Sequence, residues 1–145
     1  MKPVIATRLL LLALFLLGAA AAVAAAEVGR EDALAIRKVV ADQLDAFAHD
    51  DAPRAFSLAT TDIRTQFGTP EAFITMVRSA YPVVYRRKMT QFEPPEVVDG
   101  WIIQPVRMTD EQGRAWIALY PMQREADGSW RINGCQLARL SGLAA

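Results

Sequence analysis

The chain has one cysteine and one histidine in 145 residues, Cys135 and His49, and those two scarcities exclude much chemistry. A single cysteine cannot form an internal disulfide, so the fold stands on its core. One His and one Cys cannot supply the three or four side-chain ligands of a protein-only zinc site. The "HDD" run at His49, Asp50 and Asp51 does not mend this, because consecutive helical residues point to different sides. No metal is therefore expected. There is no glycine-rich phosphate loop and no nucleophile elbow, so nothing calls for a cofactor. A lone histidine could complete a Ser-His-Asp set only if it faced inward. His49 falls on the solvated side of its helix, opposite Val40, near a C-terminus that mildly favours an imidazolium. A surface or capping role is expected for it.

Charge of one sign is missing too. Sixteen basic residues balance sixteen acidic ones, and the longest basic run is Arg86-Arg87-Lys88. That is too short for a nucleic-acid footprint, and the balance gives no electrostatic case for DNA, RNA or an anionic membrane as partner.

The first residues, "MKPVIATRLLLLALFLLGAAAAVAAAE", have the order of a secretory signal peptide: Lys2 and Arg8, an apolar stretch from Leu9 to Val23, then Ala24-Ala25-Ala26. Cleavage is expected after Ala26, giving a signal peptide over 1–26 and one domain over 27–145, with its core at about 31–137. The uncharged run to Ala26 borders on spanning length, so an uncleaved anchor is the alternative. Cleavage would place the domain in the periplasm or outside the cell, off the membrane, with a net charge of 14 minus 16.

Glu31 to Asp50 reads as an amphipathic helix with Ile36, Val40, Leu44 and Phe47 at helical spacing. Asp51 caps a second helix over Pro53 to Ala59. "IRTQFG" is read as a short strand ending at Gly68. Thr69 as N-cap and Pro70 at the first position open a third helix in "TPEAFITMVRSAYP".

Beyond Pro82 the period changes to two. Strands are expected near Tyr85–Glu93, Trp101–Thr109, Arg114–Arg124 and Trp130–Leu137. "VDGW" is a two-residue hairpin signal, and "DEQGR" and "EADGS" read as three-residue loops closed by a left-handed glycine. These turns set the register and sort two faces. One face gathers Ile102, Gln104, Val106, Met108, Trp116, Ala118, Tyr120, Met122, Trp130 and Ile132, and should pack on the helices. The other sets Ile103, Ile117, Leu119 and Cys135 inside a rim of Arg and Gln, as an association surface would. Pro121 in a central strand calls for a bulge or local break.

Three helices followed by a curved four-stranded antiparallel meander make an α+β fold. "DQLDAFAHDDAPRAFSLAT", "FGTPEAFITMVRSAYPVVYR" and "DGSWRINGCQL" resemble family 4864 of the domains of unknown function, over roughly Ala35 to Leu137. That family resembles the nuclear-transport-factor-2-like superfamily. The resemblance implies a cone with a pocket at its mouth and often a dimer made through the sheet, and it implies no particular activity.

On the inner face, Gln104 and Tyr120 are cross-strand neighbours among apolar side chains. Either they bond each other or a helix end, or they are the polar contacts of a ligand pocket walled by Trp116, Met108 and Phe67. Tyr120 is the one inward acid–base candidate; Asp62 and Glu71 could approach the mouth. Cys135 has Arg107 and Arg131 on its face but no base. It is read as a small hydrophobe of the outer surface, with an intermolecular disulfide as the alternative. A bulge at Gly134 would instead turn it inward to Tyr120. Three functions follow. The preferred one is an exported, non-catalytic cone that binds a small apolar ligand or serves as an accessory module, dimeric through the outer sheet face. The others are an isomerase, dehydratase or hydrolase using Tyr120, and a protein-interaction domain acting through Ile103, Ile117 and Leu119.

Overall fold

The computed structural model describes residues 26–141, so the expected signal peptide lies outside the described residues. The helical layer begins with α1 (Arg30–Ala48), whose apolar stripe of Ile36, Val40, Leu44 and Phe47 is buried as its spacing requires. Asp50, held at φ 55°, ends that direction of travel, and Asp51 then caps α2 (Ala52–Ser57) by accepting from Arg54 N–H at 3.1 Å.

The "IRTQFG" stretch is helical, not a strand: it lies in α3 (Thr61–Phe67). Thr60 caps it through a 3.3 Å bond from Ile63 N–H, and Gly68 closes it at φ 78°, a conformation glycine adopts without strain. Two competent caps outweigh the strand preference of Ile and Thr, and Ile63 and Phe67 share one helical face. Thr69 and Pro70 open α4 (Pro70–Ala80) as expected, but Pro82 starts a further turn, α5 (Pro82–Tyr85).

Among the described residues there are six strands where four were expected: β1 (Met89–Phe92), β2 (Glu96–Val98), β3 (Trp101–Thr109), β4 (Ala115–Arg124), β5 (Trp130–Ile132) and β6 (Gln136–Arg139). β3 and β4 are long and continuous. β1 and β2 both pair with β3, and β5 and β6 both pair with β4, all antiparallel. The architecture is thus a four-row sheet whose outer rows are each broken once.

The breaks have a common cause. Pro105 in β3 and Pro121 in β4 lack an N–H, so each leaves its neighbour one ladder bond short. Pro105 C=O still accepts from Glu93 N–H at 3.1 Å, which places its bare nitrogen toward the Glu93-Pro94-Pro95 gap. Pro121 C=O accepts from Asn133 N–H at 2.8 Å, which does the same toward Asn133-Gly134-Cys135. The break foreseen at Pro121 therefore falls in the partner strand. With both outer rows interrupted near their middle, the sheet curls around the helices.

Register follows the turns. Asp99 and Gly100, at φ 50° and 80°, make the β2–β3 hairpin, and Asp110 N–H bonds Arg114 C=O at 3.0 Å across the β3–β4 loop. Gln104 lies opposite Tyr120. Val106, Met108, Ala118, Tyr120, Met122, Trp130 and Ile132 are buried toward the helices, in one core with Ile36, Val40 and Leu44. Removing a side chain of that size from water contributes about 1.5–3 kcal/mol. Trp130 also donates its indole N–H to Asp32 of α1 at 3.2 Å, fastening β5 to the first helical turn.

Candidate functional site

Between α1, α3, α4 and the second break lies a cavity of ≈ 210 Å³. Phe47, Phe67, Phe73, Met76, Val77, Val84 and Ile132 supply its apolar wall, and Gln43, Gln66, Tyr81, Tyr120 and Cys135 its polar atoms. The lining holds no Asp, Glu, Lys, Arg or His, although the part-buried Arg87 guanidinium acts on Tyr120 from outside it. The aromatic wall is interlocked: Phe73 touches Phe47, Phe56 and Phe67, the last edge-on with ring centroids 5.6 Å apart.

Cys135 belongs to this cavity and not to the outer sheet face. The reason is Gly134. At φ 127° it takes a turn that ordinary side chains avoid, which interrupts alternation between β5 and β6 and swings the next side chain inward. The thiol faces Tyr120. Burial pushes the Cys135 pKa up to about 12, only partly offset by the Tyr120 hydroxyl, so the sulfur stays protonated and weakly nucleophilic at neutral pH. Tyr120 is 1% exposed, and its own pKa is raised well above the usual phenol value by desolvation first and the neighbouring sulfur second. Its hydroxyl has no hydrogen-bond partner of ordinary geometry among the described residues; the Cys135 sulfur is the polar group set against it.

The expected pocket set is thereby divided. Tyr120 and Phe67 line the cavity; Gln104, Met108 and Trp116 do not. Gln104 is fully buried and seals the first break. Its amide Nε2 donates to Glu93 C=O at 2.6 Å and Pro105 C=O at 2.8 Å, so it bonds neither Tyr120 nor a helix end. Met108 is buried in the solid part of the core. Trp116 sits at the far end of the sheet, donating its indole N–H to Asp110 at 3.0 Å beside a separate open groove. Burial would raise the Asp110 pKa. The Trp116 indole, the Arg114 N–H and the Arg114 guanidinium outweigh it, and together hold that carboxyl well below its usual range.

Asp62 and Glu71 are exposed and do not line the cavity. His49 is exposed at the end of α1, its Nδ1 2.9 Å from Asp45 C=O, in the capping place its helical position implied. Ile103, Ile117 and Leu119 lie half-buried on the outer side of the sheet, with Trp101 54% exposed near them in sequence.

Sequence reasoning missed Gln43. It falls inside the buried stripe between Val40 and Leu44, and an amide at such a position was the available signal. Its Nε2 is committed to Ala55 C=O at 3.0 Å, fixing α2 against α1. The aromatic wall from α4 was also missed, since nothing in a helical period says which buried face borders a void.

The model of the family described as "Domain of unknown function (DUF4864)" matches residues 29–145. The chain belongs to that family. No curated protein matches it. For this DUF4864 domain the match embraces every helix and strand described above, from α1 to β6, so fold and cavity are both within it.

Proposed function

We propose that this domain binds a small neutral apolar molecule in the cavity beneath Tyr120, without transforming it. One observation carries the reading: an uncharged, mostly apolar hollow is lined by Tyr120 and Cys135, a buried phenol and thiol set against each other among apolar side chains. Concave, apolar sites with one or two polar groups are the usual form of a small-molecule pocket. A catalytic reading with Tyr120 as acid finds less support. A phenol pushed above its ordinary pKa, with no carboxylate within hydrogen-bond reach, is a poor proton shuttle at neutral pH. The neighbouring thiol is held protonated as well.

Export to the periplasm or beyond is part of the proposal, on the strength of the leader-like first 26 residues. So is a homodimer through the outer sheet face, supported by the half-buried Ile103, Ile117 and Leu119 beside the polar rim. In that arrangement the domain is a nuclear-transport-factor-2-like cone serving as a binding or accessory module.

The test is a panel of uncharged hydrophobic compounds, titrated by calorimetry against the native protein and against Ala59→Leu, which fills the cavity from a buried wall position. Binding by the native protein and loss in the variant are expected. A panel with no binder ends the proposal. Light scattering reads the dimer separately: a monomer at high concentration removes the homodimer and leaves the outer face for a different protein.

A further inference from the structure

Among the described residues, α3 is the one helix with no buried residue in it. It is also a wall of the cavity. Ile63, Gln66 and Phe67 line the hollow from one side of the helix, while Thr61, Asp62 and Thr65 on the opposite side are exposed. A single layer of backbone therefore separates this part of the cavity from water. The other walls are rooted in the core: Phe47, Phe73, Val77, Val84 and Ile132 are all buried.

What fastens α3 lies at its ends. Before it, Thr60 is pinned to the second break of the sheet: its N–H donates to Ile132 C=O at 2.9 Å and its hydroxyl to Asn133 Oδ1 at 3.0 Å. After it, Thr69 belongs to α4, where it caps Ala72 N–H at 3.2 Å. Thr61 N–H meets the exposed Glu125 carboxylate at 2.9 Å. From Asp62 to Phe67, no hydrogen bond leaves the helix and its caps among the described residues. That stretch is held by packing alone, Ile63 against the core and Phe67 edge-on to Phe73. Gly68, at φ 78° with nothing within 4 Å of the place a Cβ would take, has the freedom and the room of a hinge. A segment with so few buried contacts between firm anchors opens locally, well short of global unfolding.

We propose that α3 is a lid: it swings about Thr60 and Gly68, lifts Ile63 and Phe67 away from α4, and so opens the way into the cavity. That a ligand passes beneath it follows from the reading of the hollow as a binding site; the motion itself is tested without any ligand. The rival entrance is the break at Gly134, beside which Cys135 stands.

Cys135 reports on access, because it lines the cavity and is the chain's one thiol. Its labelling by an aromatic disulfide reagent is followed in three full-length proteins. These are the native protein, Gly68→Ala, which strains a pivot outside the lining, and Met108→Ala, which weakens the core away from the cavity. Alanine resists φ 78°, so the closed lid is disfavoured and labelling should quicken by roughly fivefold or more in Gly68→Ala. Met108→Ala should leave the rate unchanged although it lowers global stability further. In native-state hydrogen exchange, the amides of Arg64 to Phe67 should open together, faster than those of Ile74 to Val77 in α4 and with little dependence on urea, a readout that needs no variant. A labelling rate that follows global stability across the variants, a rate indifferent to Gly68→Ala, or α3 amides as protected as those of α4 overturns the lid. Toluene separates this from the binding reading, since an apolar hole of about 150 Å³ takes benzene and this one measures ≈ 210 Å³. Slower labelling under saturating toluene supports a ligand's passage beneath α3. Toluene without effect counts against the binding site, while the labelling and exchange rates still decide the lid.

Discussion

The two breaks in the sheet begin alike and end differently. At each, a proline in a central strand withholds an N–H and the neighbouring row parts. Beside Pro105 the gap is sealed: Gln104 bends its amide onto Glu93 and Pro105 carbonyls, and the side chains around it are solid core. Beside Pro121 it is left open: Gly134 turns the chain, Cys135 swings in, and Tyr120 is left unanswered at a cavity wall. A missing ladder bond is thus a choice between a polar plug and a hollow. At Pro105 the preceding Gln104 bends its amide back onto the gap; at Pro121 the preceding Tyr120 points its hydroxyl toward the Cys135 thiol instead.

The contrast is broken most forcefully by truncating matched side chains on its two sides. Met108→Ala, in the solid part, should cost about 2–5 kcal/mol, because a buried methionine leaves a new void. Met76→Ala, at the cavity wall and already part-exposed, should cost less than half as much, since its removal enlarges a space that exists. Urea midpoints at unchanged slope measure both. Equal losses would mean that the cavity is filled or collapsed in solution.

Next in size is Gly134→Ala. Nothing crowds the position that its Cβ would take, but φ 127° is a conformation side chains rarely adopt, so the cost should be about 1–3 kcal/mol from backbone strain alone. The chain can relieve that strain by straightening β5 into β6, which would carry Cys135 outward. Faster thiol labelling in the variant is therefore expected alongside lower stability. Unchanged labelling would show that the inward cysteine does not depend on the glycine.

Gln104→Leu sharpens the other side. It leaves Glu93 C=O without its amide donor, while also removing a buried Oε1 that has no partner. The two effects oppose, and a net cost of about 1–2 kcal/mol is expected by the same urea titration. A neutral outcome would mean that the amide is not what closes the break.

These particulars show what the sequence could and could not yield. α1 and α4 were legible because spacing and caps lie within the segment: Ile36, Val40 and Leu44 in one, Thr69 and Pro70 in the other. The three hairpin registers were legible because turn glycines are local. α3 was not, since seven residues show too little of a period to outvote Ile and Thr. The site was half legible: Tyr120 and Phe67 line it, but Met108, Gln104 and Trp116 share Tyr120's sheet face without sharing its void. Alternation says which face is inward, and packing alone says where the inside is hollow. The side on which Cys135 stands turned on the backbone of one glycine, for which the residue type allows several answers.

The acid dependence of stability should draw mainly on Asp110, away from both breaks. Smaller shares should come from Asp45, Asp50 and Asp127, whose carboxyls hydrogen bonds from Arg54, from Tyr85 and Arg86, and from Ser129 also hold below their usual range. Its carboxyl is held well below the unfolded value of about 3.9 by the Trp116 and Arg114 donors, against the opposing pull of burial. A folded pKa below the unfolded one gives stability that is present above pH ~4 and lost as pH falls toward the folded value. Asp110→Asn should flatten this acid limb of a thermal-melting profile between pH 2 and pH 5, ranges taken from that reference value. Cys135 and Tyr120 titrate far above neutrality, so the cavity end should contribute nothing there. An acid limb that survives Asp110→Asn would place the sensitive group elsewhere.

The smallest effect is the most discriminating. Tyr120→Phe deletes one oxygen from a side chain as deeply buried as any in the fold, and such deletions usually cost about 1–3 kcal/mol when a partner is left unsatisfied. Here no protein group accepts from or donates to that oxygen with conventional geometry, apart from the thiol against it. Removing it should therefore change stability by no more than about 0.5 kcal/mol in either direction, with the gain of shedding a desolvated dipole offsetting the lost sulfur contact. Set beside Gln104→Leu, this is the direct measure of the difference between the breaks: the plug is structural, the hydroxyl is not. A loss from Tyr120→Phe as large as that from Gln104→Leu would show that the hydroxyl holds the fold together. It would then be unavailable to a ligand, and the second break would be sealed like the first.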